Sequence, residues 1–227
     1  METGRSLPSR EMLLRLAEQL AVPLRERNAL LVAAGYAPVY AERTLDDPAL
    51  QAARQAVELV LAGHEPFPAL AIDRHWTLVA ANKALPLLLT GVAEALLRSP
   101  VNVLRVSLHP DGLAPRIANL AEWRAHVLDK LRHQSEATAD PVLMDLLEEL
   151  LAYPAPSGRL KAEGVAPPGG IAVPFRLITE AGVLSFLSTT TIFGTPLDIT
   201  LSELAVESFF PADAGTAAIL RAGLPGP

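Results

Sequence analysis

The chain has 227 residues, half of them apolar, with 19 basic residues, 25 acidic residues and no cysteine. That composition supports a sizeable core and excludes disulfides, thiolate metal sites and thiol nucleophiles. The acidic balance argues against a whole-surface nucleic-acid binder; there is no charge-free apolar run long enough for a membrane span and no signal core at the start, so the expected compartment is the cytoplasm.

In chain order, residues 9–34 read as two short helices. Ser9 is a candidate N-cap, and Met12, Leu13, Leu16, Ala17 and Leu20 form one apolar stripe. Pro23 interrupts, a second stripe runs from Leu24 to Ala33, and Gly35 follows as a helix stop. Asp47-Pro48 restarts a helix that runs to Gly63. Ala69–Asp73 and Trp76–Ala81 flank Arg74-His75 as a hairpin. Asn82 is expected to cap a Leu-rich helix ending near Gly91, and a short helix follows at 92–98. Asn102 is expected to cap Val103–Leu108, which His109-Pro-Asp-Gly112 breaks.

The spacing then predicts a long helix from Pro115 to Thr138 and, after Asp140-Pro141, another to Ala152. Residues 153–170 are rich in Pro and Gly and read as a loop. Strands are expected over Ile171–Thr179, Val183–Phe193 and Leu204–Phe210, with a C-terminal helix over Ala212–Ala222. Strands at both ends with helices between them fit an antiparallel sheet with helices on one face.

Catalytic and metal signals are weak. Glu122 and His126 lie four residues apart on the long helix and His133 follows two turns on, but no compact motif adds a third ligand. No nucleophile elbow, triad or phosphate loop is present, so neither an enzyme nor a cofactor is expected.

Several stretches resemble a known family. Glu2-Thr-Gly-Arg5, Pro8-Ser9, Leu14–Glu18, Arg25-Glu-Arg27 and Ala33-Ala-Gly-Tyr36 resemble the end of an Xre-type helix-turn-helix domain. The Ala69–Asn82 hairpin resembles the opening of a PAS domain. Asn102–Arg105, Leu108–Gly112, Asn119–Arg124, Phe193-Gly-Thr195 and Phe209–Asp213 resemble the ligand-binding domain of MmyB-like transcription regulators. The resemblance implies an α+β fold, with a PAS-like antiparallel sheet and helices on one face, preceded by a short all-α remnant of a helix-turn-helix domain. The implied domains are residues 1–45, without the recognition helix, and residues 46–227 as the sensor.

By the same resemblance the chain senses a small apolar or fatty-acid-like ligand, works as a homodimer in transcription regulation, and reaches DNA only through an upstream segment. Residues 1–45 carry six basic residues and five acidic ones. Only Arg5 and Arg10 are placed to meet a DNA backbone, so this chain alone is not expected to bind DNA specifically.

A PAS-like sheet leaves a cavity beneath its helices, and the candidate ligand residues are Arg105, His109, Arg116, Trp123, Phe186 and Ser188. Arg105, His109 and Arg116 are cations suited to a carboxylate at a pocket mouth, although His109-Pro-Asp-Gly112 also reads as a plain helix stop. Trp123 reads as core, as ligand platform, or as both. Alternation sends Leu184, Phe186, Ser188 and Thr190 to one face of their strand, where Ser188 could donate to a head group. The alternatives to a sensor are a dimerisation module without ligand, with residues 141–151 as interface or core, and a small acyl-processing enzyme.

Overall fold

The structure is a computed structural model that describes residues 8–45, 47–154, 173–194, 196 and 198–223. It forms two compact units, one of residues 1–56 with 192–204, the other of residues 57–191 with 205–227.

In the first unit, α1 (Arg10–Gln19) starts where the Ser9 hydroxyl accepts the Met12 amide, and α2 (Leu24–Ala33) ends before Gly35, whose φ is +83°. Ala17, Leu24 and Leu31 are their buried contacts. The unit is completed by residues from far along the chain. Arg25 donates to Glu42 and, bidentately, to Glu203 at 2.6 and 2.9 Å. Asp198 accepts from Arg43 at 2.9 Å and caps the short helix α8 (Ile199–Ser202) through the Thr200 amide. Sequence periodicity gives no sign of α8, because four residues are too few to show a period.

Helix α3 (Gln51–Gly63) leads into the second unit. Strands β1 (Ala69–Ile72), β2 (Leu78–Ala81), β3 (Phe175–Thr179), β4 (Gly182–Ile192) and β5 (Ala205–Pro211) form one antiparallel sheet in the order β2-β1-β5-β4-β3. The first hairpin and the last three strands therefore meet at the β1–β5 pair, where Leu70 lies opposite Glu207. Helices α4 (Leu85–Leu88), α5 (Val103–Leu108), α6 (Leu120–Thr138) and α7 (Pro141–Ala152) occupy the β2–β3 connection and share one hydrophobic core with the sheet. This is the PAS-like α+β architecture. The chain closes with α9 (Ala214–Ala222), whose Thr216 hydroxyl accepts the Ser185 amide at 3.0 Å.

The caps follow the residue types. Asn102 accepts the Leu104 and Arg105 amides and so starts α5. Asp140 accepts the Val142 amide and starts α7. Asn82 behaves differently from the cap its position predicts. Its side chain accepts the Ala69 amide and donates to the Phe67 and Leu61 carbonyls, so it ties the start of β1, and α4 has no side-chain cap. The segment predicted as 92–98 is a single 3-10 turn, Glu94–Leu97.

The long helix starts at Leu120 rather than Pro115, because the residues before it serve the sheet. Ile117 bridges Leu177, the Ala118 amide donates to the Arg176 carbonyl, and Asn119 bonds the backbone of Pro174 and Arg176. At the opposite edge, the Leu78 and Val103 amides bond the Val101 and Trp76 carbonyls, so residues 101–103 cover β2. These contacts occupy part of each edge and so reduce the free backbone groups that would otherwise template pairing with another chain. The predicted strand start at Ile171 and most of the 153–170 loop lie outside the described residues.

One polar contact locks the hairpin to the helices. The Asp140 carboxylate, 8 % exposed, accepts from Arg74 and from His75, both at 2.9 Å. Burial pushes this carboxyl up, but the His75 bond, the Val142 amide and Arg74 outweigh it and hold it below the ordinary range. A depressed folded-state value means that the contribution is complete above the unfolded value, near pH 4, and is lost as pH falls through the lowered value. Asp140→Ala is expected to cost about 2 kcal/mol at pH 7, from the lost cap and the lost charged hydrogen bonds. The gap between variant and parent should narrow by pH 3, as read from urea unfolding at both pH values.

Candidate functional site

The site is a cavity of about 90 Å³ within the second unit, partly open to the surface. It lies between the curled sheet and the helices, and its lining follows from the periodicity of each element. From the sheet come Leu70 and Leu78 of the first hairpin and Phe175, Glu207 and Phe209 of the later strands. Leu70 lies directly opposite Glu207, and facing residues in an antiparallel pair share a side of the sheet. From the helices come Leu88 of α4, Leu104 and Ser107 of α5, and Trp123 and Val127 of α6, the last two four residues apart on one helix face.

The wall is almost wholly apolar, with two polar exceptions. The Ser107 hydroxyl oxygen accepts the Trp123 indole N–H at 2.9 Å. Among the described residues the Ser107 O–H donates to no protein acceptor, so one hydrogen-bond donor remains for a guest. Glu207 is the charged exception. Its side chain is only 12 % exposed, and its Oε1 accepts from Lys130 Nζ at 2.9 Å. That ammonium also sits 4.7 Å from the centre of the Trp76 ring, a cation–π contact. Beside Phe175 and Phe209 on the same face of the sheet, Phe186, the facing partner of Phe175 across the β3–β4 pair, is fully buried, and its ring lies 6.1 Å from Phe175 and 6.2 Å from Phe209.

The residues that the sequence singles out are distributed unevenly around this cavity. Trp123 is at once core and cavity wall. Phe186 adjoins the wall without lining it, and Ser188 is half-buried on β4, two residues beyond it. Arg105 is held bidentately by Glu149, with bonds of 2.7 to 3.0 Å. Arg105 lowers the Glu149 carboxyl from its ordinary range, assisted by the Tyr153 hydroxyl, which donates to it at 2.6 Å. Burial and the Glu149 carboxylate in turn push the Tyr153 phenol up.

His109 ends α5. Its Nδ1 accepts the Asp111 amide at 3.0 Å, and its ring meets Tyr153 edge-on. Gly112 is required there, since an added Cβ would stand 2.2 Å from the Val106 carbonyl oxygen. Arg116 donates to the Leu88 carbonyl at 2.7 Å, and burial pulls its guanidinium below its ordinary value. It borders a separate surface recess with Asp111 and Gly112. Arg10 is exposed at the first position of α1, and Arg5 lies outside the described residues. Among the described residues no three metal-ligating side chains converge, and no helix is long and apolar enough to cross a membrane.

Sequence reasoning missed Glu207 and Lys130. The period-two pattern of β5 does put Glu207 in register with Phe209, and that was the available signal. What it could not supply was the partner, 77 residues away on α6.

A curled sheet facing a helical layer across an apolar cavity defines a small-molecule-binding type of domain. The sequence comparison agrees: the profile of the MmyB-like transcription regulator ligand binding domain matches residues 53–222, well over half of the chain. The chain belongs to that family. A search of curated proteins gives no match.

Proposed function

We propose that the second unit is the effector sensor of a transcription regulator, and that the cavity takes the apolar chain of a fatty-acid-like or related alkyl effector. The observation that supports this is the lining: leucine, valine and aromatic side chains from both layers surround a void that water gains little by entering. The reading has no catalytic step, and Ser107 and Glu207 serve as head-group contacts rather than as a nucleophile and base.

A route for the signal follows from connectivity. Glu207 and Phe209 line the cavity, while residues 192–204, immediately before β5, belong to the first unit. An effector that binds one placement of β5 more tightly than another biases that connection, and it acts only through this difference in affinity. We propose that the regulator uses such a bias to control DNA binding through a segment other than residues 1–45, and that it does so as a homodimer.

The test is thermal unfolding in the presence of straight-chain alcohols and acids from hexyl to tetradecyl. At about 100 times its dissociation constant, a ligand specific for the folded state adds about 2.7 kcal/mol, or roughly 5–10 °C for a domain of this size. A shift of that size that depends on chain length supports the sensor. No shift with any member of the series contradicts it and favours a ligand-free dimerisation module.

A further inference from the structure

We propose that the cavity selects a neutral, hydrogen-bond-donating head group, such as an alcohol or primary amide, over a free carboxylate, and that Glu207 sets this preference. The inference rests on the cavity being the effector site.

Among the described residues the only ionisable group lining the cavity is a carboxylate. Register fixes its side of the sheet, because Glu207 faces Leu70 across the β1–β5 pair and Leu70 is itself a lining residue. The carboxylate is mostly shielded from water, so it needs compensation from a fixed partner. Lys130 supplies that: its ammonium stands 2.9 Å from Glu207 Oε1, 3.5 Å from Thr190 Oγ1 and 4.7 Å from the centre of the Trp76 ring. One cation is therefore already matched by one anion.

A ligand carboxylate brought to this end of the cavity adds a second anion around the same ammonium. The Lys130 side chain is 41 % exposed, so water screens part of the interaction, but two carboxylates a few ångströms apart still repel, and the cost is met by losing affinity or by taking up a proton. A hydroxyl or amide N–H meets the same carboxylate as a donor and needs no extra cation.

The cations that would favour an acid are engaged elsewhere, Arg105 with Glu149 and Arg116 with the Leu88 carbonyl, and neither lines the cavity. Specificity here is a difference between two affinities, and the repulsive element is as informative as the attractive one.

The experiment compares 1-octanol with octanoate at pH 8 by isothermal titration calorimetry and by the fluorescence of Trp76 and Trp123, in the parent protein and in Glu207→Gln. The parent is expected to bind octanol at least about tenfold more tightly than octanoate, and Glu207→Gln to reverse or abolish the preference by freeing Lys130 for the acid. Octanoate binding as tightly as octanol to the parent overturns the inference and leaves the sensor reading standing. A preference for octanol that persists unchanged in Glu207→Gln overturns the role of Glu207. Binding of neither compound by the parent overturns the cavity as the effector site. Far-ultraviolet circular dichroism establishes that the variant is folded, and the parent's preference alone decides the first point.

Discussion

Val127→Phe is expected to weaken alkyl-chain binding about 100-fold, or ~2.7 kcal/mol, while the protein stays folded. Val127 is 6 % exposed on α6 and lines the cavity, four residues from Trp123. Because Val127 lines the void, a larger ring there extends into it and occupies the space a chain would fill. Adding bulk to a packed interior costs about 1–3 kcal/mol, and a pre-existing void keeps the cost toward the lower end. Val142→Phe provides the control, since Val142 is half exposed on α7 and does not line the cavity. Titration by tryptophan fluorescence reads both. Unchanged affinity in Val127→Phe would place the effector elsewhere.

The second large effect concerns stability. Phe186→Ala is expected to cost about 3–5 kcal/mol and to lower the melting temperature by roughly 10 °C or more. The side chain is fully buried and lies within 6.2 Å, centre to centre, of two aromatic rings of the cavity wall. Its strand lies between those of Phe175 and Phe209, so removing the ring leaves a void beside both, and each loses a neighbour that holds it in place. The same substitution should also loosen effector binding, because those two rings lose their fixed positions. Chemical denaturation measures the first effect and ligand titration the second. A loss below 1 kcal/mol would mean that the sheet collapses onto the vacancy, and that the wall does not depend on this ring.

Much of the fold was legible where the determining contacts are local. Ser9, Asp47, Asn102 and Asp140 each cap the segment that follows, within three residues of their own position. Period-two alternation in β4 placed Leu184 and Phe186 on one face, and both are fully buried, whereas Leu187 between them and Ser188 is exposed. The family resemblance likewise pointed to a PAS-like sheet with helices on one face.

Long-range contacts were not legible. Asn82 has the residue type of a cap, but its partners are Ala69, Phe67 and Leu61, so it secures a strand. Asn119 bonds to Pro174 and Arg176, more than fifty residues on, which delays the start of α6. For Arg105, sequence alone suggests a cation at a pocket mouth, and only the tertiary structure brings Glu149 to it across 44 residues. The cavity itself is a property of how the sheet curls beneath α5 and α6, and no single segment encodes it. Leu-rich periodicity identifies which faces are apolar without showing whether they meet or leave a gap.

The most direct test of the central claim is a crystal structure of the protein with 8-bromo-1-octanol, collected for the anomalous signal of bromine. The predicted result is a single strong bromine peak inside the cavity, among its apolar lining residues and away from Glu207, absent in Val127→Phe. A bromine peak confined to the surface, or none in the parent protein at saturating ligand, would contradict the account.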